Sequence, residues 1–188
     1  FDANDEILSG VGFRADNRLY DANLDQQSVF MPFIAADQPV NISVEQSTIE
    51  DPFWIAQPEG YSIVSRPGVT SVIDFPVVIT TEIDGEVHLK QAQDTRTAAG
   101  VLVELVDKGT GKVVKTTRSE FDGFYLFQKV VAGTYYVRVH ASDLDYYGAI
   151  EDHRIELTIP EGSDIVSHQN LLIVQAHPEE GSESTLEP

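Results

Sequence analysis

The chain contains no cysteine, which closes off both a disulfide framework and a thiolate metal site. Basic residues are scarce: twelve lysines and arginines stand against thirty-one acids, a formal net charge of -19 over 188 residues. Such a balance opposes binding to nucleic-acid phosphates or anionic membranes. It leaves open a solubilising surface, an acidic docking face or carboxylate sites for a divalent cation. Methionine and tryptophan occur once each, and long leucine-rich helical faces are missing. No window approaches the roughly 18 apolar residues of a membrane span. The opening FDANDEIL has neither the basic nor the apolar region of a signal peptide. We read the chain as a soluble segment or processed fragment, with no membrane insertion of its own.

Reaction-centre motifs are equally sparse. There is no Gly-x-Ser-x-Gly elbow and no glycine-rich phosphate loop, and Gly109-Thr110-Gly111-Lys112 reads as a turn between two strands. His88, His140, His153, His168 and His177 occur singly, without the spacing that places two imidazoles on one metal.

What the sequence does contain is alternation. Hydrophobic residues make up 41% of the chain, enough for a packed core, and valine, isoleucine, tyrosine and phenylalanine dominate them. Between residues 99 and 141, the runs Val101-Val103-Leu105, Tyr125-Phe127 and Tyr135-Val137-Val139 are each bounded by glycine. Side chains on a strand point alternately to its two sides, so these are strands with one buried face. The Asp122-Gly123 pair predicts a hairpin turn. Residues 85–89, 153–159 and 170–175 extend the pattern. In the first part, residues 10–13, 28–31, 40–44 and 61–64 read as strands, and residues 69–79 as an extended closing segment. Residues 141–152, ASDLDYYGAIED, are too short and glycine-broken for more than one helical turn.

The predicted fold is all-β: two tandem Ig-like or prealbumin-like antiparallel β-sandwiches, at residues 1–81 and 82–176, with an acidic tail or linker at 177–188. The tail carries four glutamates and no basic residue, too little apolar surface to offset the entropy of ordering it. The two halves also read as a degenerate repeat. Ser9-Gly10-Val11 followed by Phe13 parallels Ala99-Gly100-Val101 followed by Val103, and residues 39–44 parallel residues 134–139.

Several of these residues carry a resemblance. Gly100-Val101, Val103-x-Leu105, Gly111-Lys112-Val113-Val114, the stretch FDGFYLF at 121–127 and AGTYYV at 132–137 resemble the prealbumin-like, carboxypeptidase-regulatory or Cna-B-type β-sandwich. Ala132 stands where that family usually has proline. The resemblance implies a fold and little about activity, because such domains are appended to proteins of many kinds. A second likeness runs through GVGFRAD, IEDPFW, EGYSIVSRPG, IDFPVV and TEIDGEV. These are similar to the C-terminal periplasmic region of usher-like outer-membrane proteins of Gram-negative bacteria. That likeness implies a pilus subunit, a chaperone or neighbouring domains of the same polypeptide as partners. It also implies a periplasmic or cell-surface location on an outer-membrane protein. Some Cna-B-type domains close a Lys-Asn isopeptide bond promoted by a buried acid. Here Lys90 and Asn170 are the candidates, but Arg138 or His140 occupies the acid's position, so no bond is expected.

Asp2, Asn4 and Glu6 alternate oxygen ligands as calcium loops do, though without the loop glycine or a bidentate acid, and a plain acidic turn is the other reading. Glu120 and Asp122 flank a turn. Asp143, Asp145, Glu151 and Asp152 surround Tyr146 and Tyr147, which suits either a calcium- or sugar-binding loop or tyrosines packed back on the sheet. Phe53 and Trp54 are either an exposed partner anchor or a plug between the two units. No catalytic residue and no cofactor site is expected, calcium apart. The expected role is a non-enzymatic interaction module in pilus assembly or surface display. The alternative is a carbohydrate- or calcium-dependent adhesive module.

Overall fold

The computed structural model describes residues 7–21, 27–151, 153–163 and 165–175. The chain divides into two compact units, residues 1–80 and 81–188.

In the first unit, β1 (Phe13–Ala15), β2 (Arg18–Tyr20), β3 (Pro39–Val44) and β5 (Gly60–Val64) form one antiparallel sheet in the order β2-β1-β3-β5. β4 (Trp54–Ala56) pairs separately with β6 (Val77–Ile79). The alternation read at residues 40–44 has its predicted effect: Val40 and Ile42 are buried and join Ala15 as the centre of this core. Around them pack the half-buried Tyr20, Met31, Ile34, Ile63, Ile73 and Phe75. Phe75 meets Phe13 at a tilt and Tyr61 edge-on, at centroid separations of 5.5 and 5.1 Å.

Two expectations fail in this unit. Residues 28–31 are irregular, not a strand; Met31 reaches the core from a loop, so an apolar position is filled without ladder pairing. The first strand lies at Phe13–Ala15, later than residues 10–13: Gly10 takes a left-handed φ of 74°, and ladder pairing with β2 and β3 starts only at Phe13.

The second unit begins with the long strand β7 (Thr81–Gln91), which turns back into β8 (Asp94–Thr97). It continues through β9 (Leu102–Asp107), β10 (Val113–Arg118), β11 (Phe124–Val130), β12 (Gly133–Val139), α1 (Ala141–Tyr147), β13 (Arg154–Ile159) and β14 (Leu171–Val174). One sheet runs β10-β9-β12-β13 and the other β11-β7-β14, with β8 on β7. Among the described residues their inward side chains, with Ala98 and Val101 beside the strands, make one core of seventeen buried side chains, among them Val103, Leu105, Val137, Tyr125, Leu171 and Ile173. All pairings in these sheets are antiparallel except β14 on β7, which is parallel and corrects the all-antiparallel expectation.

The glycine motifs have local causes. A Cβ on Gly133 would stand 2.8 to 3.0 Å from the ring and hydroxyl of Tyr135, which folds over it and donates to the Val131 carbonyl at 3.0 Å. That is the physical content of the Gly-x-Tyr signature, and it resembles a tyrosine corner. Asp122-Gly123 is a turn, with Asp122 accepting from the Phe124 N–H at 3.1 Å. It is not a hairpin tip, because it carries the chain from β10 in one sheet to β11 in the other. The residue pair fixes the local backbone and leaves open which strand comes next to which.

Residues 141–147 form a two-turn helix where at most one turn was expected. His140 caps its start by accepting from the Ser142 N–H at 3.1 Å, and Gly148 ends it in a left-handed conformation.

Candidate functional site

Of the acids that read as possible chemistry, Asp122 and Asp143 are engaged with the backbone, and so are Asp84 and Asp107, which the sequence reading did not single out. Asp143 accepts from the Leu102 N–H at 2.6 Å. Asp84 accepts from the Ser167 hydroxyl at 2.8 Å and the His168 N–H at 3.1 Å. Asp107 holds its hairpin turn through the Thr110 N–H and hydroxyl, both at 2.7 Å, and these donors keep its carboxyl below the usual carboxylate range. Each bond ties a carboxylate to a donor of the chain's own turns and strand ends. Among the described residues, no three histidines or acids gather closely enough to hold a metal ion. Asp2, Asn4, Glu6, Asp152 and His177 lie outside the described residues.

His88 stands 3.2 Å from Glu86, and His153 Nδ1 accepts from the Leu172 N–H at 3.2 Å. Asn170 Oδ1 accepts from the Glu86 N–H at 3.0 Å, whereas Lys90 is in register with Val174. Four residues of strand therefore separate Lys90 from Asn170, about 13 Å along the ladder. An isopeptide bond between them is out of reach.

The aromatic candidates divide. Phe53 is 38% exposed; its N–H donates to Asp51 at 2.8 Å and its carbonyl accepts from Thr80. Trp54 is half-buried in β4, opposite Ile79. Tyr146 is 81% exposed, while Tyr147 packs against the core of the second unit. Their rings stand edge to face, 5.0 Å apart and inclined at 82°, so the pair does not present the flat platform on which a sugar stacks. Sequence reading missed Phe121, which is 89% exposed beside the Asp122-Gly123 turn, and Phe33, which is 92% exposed at a φ of 62°.

It also missed Glu104. This side chain lies on the outer face of β9 yet is buried at 6% exposure. Arg138, opposite it on β12, donates from Nε at 2.9 Å, and His140 Nε2 lies 3.8 Å away. A carboxylate removed from water needs such a partner. The signal was available in LVELVD against YYVRVH, where an acid and a base interrupt apolar runs at positions that pair. Nearby, Tyr136 lies between two cations, Lys108 Nζ at 5.7 Å and the Arg154 guanidinium at 4.9 Å from its ring centroid. Lys108 is bonded to Glu156, which holds the lysine's pKa up and the glutamate's down.

The fold defines an all-β, sandwich-type module in which Asp84, Asp107 and Asp143 bond to backbone donors and Glu104 to an arginine. Residues 81–174, half of the chain, match the family described as BOS complex subunit NOMO1-like, second beta sandwich domain, and the chain belongs to that family through this unit. No curated protein matches the sequence. Similar solved structures include GBS52, the minor pilin of the Gram-positive pathogen Streptococcus agalactiae, at 13% identity. There 93% of this chain and 87% of that one are covered, with a TM-score of 0.43. The Bacillus anthracis TIE protein is 14% identical over 93% of this chain and 32% of that one, at 0.41. The 5-hydroxyisourate hydrolase of Klebsiella pneumoniae is 18% identical over 51% and 91%, at 0.39.

Proposed function

We propose that the chain is a non-enzymatic β-sandwich module that makes protein contacts within a larger extracytoplasmic protein. What supports this reading is the commitment of Asp84, Asp107, Asp143 and Glu104 to backbone donors or an ion pair, beside aromatics left to solvent at Phe121 and Tyr146. Large aromatics are the side chains from which interfaces draw most of their energy. The family's description, a second β-sandwich domain of a complex subunit, agrees with a part that works in series with others.

The more specific form of the proposal is pilus assembly of the chaperone-usher type, or surface display. It rests on the sequence likeness to usher-like proteins, and so does the Gram-negative, outer-membrane placement.

The contact role is tested in the parent protein with Phe121→Ala and Tyr146→Ala. Loss of assembly with an unchanged melting curve is the expected result; normal assembly in the double variant would remove these aromatics from the interface. Turnover of ester, glycoside or peptide substrates in proportion to chain concentration would overturn the non-enzymatic reading. For the pilus form, deleting residues 82–176 from an otherwise exported parent is expected to abolish surface fibres, and fibres in normal number would sink it.

A further inference from the structure

The sandwich of the second unit is open along one side. Among the described residues, β10 ends one sheet and pairs only with β9, while β11 ends the other and pairs only with β7. The turn at residues 119–123 brings these two strands side by side, yet no backbone bond joins them among the described residues. Between them lies a shallow groove lined by Lys115, Thr116, Thr117, Leu126, Phe127 and Gln128. Ser119, one residue past the end of β10, donates its N–H to the Val101 carbonyl at 2.9 Å. Alternation along the strand therefore turns the backbone groups of Lys115 and Thr117 toward β9 and those of Thr116 and Arg118 away from it. An unpaired edge of this kind is a template for one more strand.

The other edges of this unit are closed or mixed in charge. On β14, the Leu172 N–H donates to His153 Nδ1 at 3.2 Å and the Val174 carbonyl accepts from the Ile150 N–H at 3.0 Å. β11 is occupied at its start, where the Phe124 N–H donates to Asp122 and the Phe124 carbonyl accepts from the Glu120 N–H, and Lys129 breaks it near its end with a φ of 53°. β8 carries Asp94 with Arg96, and β13 carries Arg154 with Glu156. β10 stands apart: in a chain of net charge -19, residues 112–118 hold Lys112, Lys115 and Arg118 and no acid. None of the three forms an ion pair among the described residues; Arg118 donates to the Gly100 carbonyl at 2.7 Å. Most of the acids around the groove are engaged. Glu104, in register with Thr116, is held by Arg138, Asp122 by its own turn, and Glu82 accepts from Gln128 Nε2 at 3.2 Å. Glu120 lies past the end of the strand, in the turn.

We propose that β10 accepts an extended acidic segment of a partner protein as an added strand, bonded to the backbone of Thr116 and Arg118, with its carboxylates facing Lys112, Lys115 and Arg118. A lysine on an edge strand keeps like edges apart, and so does a charge on the inward side, where Lys115 stands in register with Leu105. A second copy of this chain would bring the same cations to the edge and is repelled. An acidic strand is drawn in by the charges that keep that copy away. Main-chain bonds supply the grip, and charge supplies the choice of partner. Strand addition rests on the contact role proposed above for its setting, but it stands or falls separately, because peptide binding at β10 uses neither Phe121 nor Tyr146.

The probe is an end-blocked hexapeptide alternating glutamate with valine, added to the isotope-enriched full chain while amide hydrogen exchange is followed by NMR. At about ten times its half-saturating concentration, the Thr116 and Arg118 amides are expected to exchange about tenfold more slowly, with those of β13 unchanged. Raising salt from about 0.01 to about 1 M, which cuts the screening length from about 30 to about 3 Å, should weaken the binding. A peptide with lysine in place of glutamate should give no protection, for want of charge match. A glutamate peptide N-methylated at every residue should give none either, for want of backbone donors. Thr116→Pro removes an edge N–H that the β9 ladder does not use and should abolish the effect with the melting curve unchanged. Lys115→Glu with Arg118→Glu leaves the backbone intact; it should exclude the glutamate peptide and admit the lysine one. No protection at millimolar glutamate peptide, equal protection by the lysine or N-methylated peptide, or protection confined to other strands overturns the proposal. So does protection of Thr116 and Arg118 that grows with chain concentration alone, which makes the occupant a second copy.

Discussion

The first and second units build the same sheet and close it differently. In each, a glycine with φ 74°, Gly10 or Gly100, precedes a strand that starts a hairpin and also pairs antiparallel with a later strand. Phe13 faces Val44 in one unit, and Val103 faces Val139 in the other. These are the positions that the repeat reading equates. The strand orders correspond as well, β2-β1-β3-β5 against β10-β9-β12-β13. What covers the sheet differs. The second unit lays β11, β7 and β14 across it and buries seventeen side chains; the first has Met31, Ile34, Ile73 and Phe75 arriving largely from loops over three buried ones. A sheet pattern specifies its own pairing, and the partner layer decides how much apolar surface leaves water and hence how stable the unit is.

The sole tryptophan, Trp54, lies in the first unit, so its fluorescence reports that unit while circular dichroism weights the strand-rich second. The difference between the units predicts that the tryptophan signal changes at lower denaturant than the bulk of the dichroism. A single coincident transition would show that the units unfold as one. The largest single perturbation expected is Leu105→Ala, which opens a cavity at a fully buried site and costs about 3 kcal/mol or more. It should lower the second transition and leave the tryptophan transition in place. Gly133→Ala comes next, at about 2 kcal/mol, because the new methyl forces the Tyr135 ring from its seat.

A pH titration separates the units further. Burial, with Asp84 close by, pushes the Tyr125 phenol above its ordinary value near 10, and burial also raises Tyr135. A folded-state pKa raised above the unfolded one gives stability that is complete below about pH 10 and drains away as pH rises beyond it. The second unit should therefore weaken in alkali, with tyrosinate absorbance rising in step with its unfolding, and Tyr125→Phe should blunt that loss. The smallest expected effect is in the other unit. Phe33 holds a left-handed backbone while almost wholly exposed, so Phe33→Gly relieves strain and is expected to raise the tryptophan transition by about 0.5 kcal/mol.

The strands between residues 99 and 141 were legible because one face of each is buried and the sequence alternates accordingly. Legibility ended where pairing is decided at a distance. Asp122-Gly123 announced a turn but not a change of sheet, and nothing in LLIV announces that β14 pairs in parallel with β7. Residues 28–31 look like a strand because Met31 is apolar, yet a loop can deliver one side chain as well as a strand can. The helix was undercounted since ASDLDYY is too short to display a helical period and its caps are a histidine and a glycine. Of the aromatic candidates, Tyr146 stands in solvent as an anchor would, while Tyr147 follows the other reading and packs on the core. The buried Glu104 needed its partner on another strand to be recognised.

The parallel pairing of β7 and β14 has a mechanical consequence. The second unit opens with one of these strands, and the other is its last among the described residues, so tension along the polypeptide draws Thr81 and Val174 apart along the strand direction. The load falls on the Val87–Leu171 to Lys90–Val174 register in shear, across every bond of that ladder together. The further ties of Asp84 to Val166 and Gln169 share it. Two antiparallel strands joined at the same ends would peel open one bond at a time.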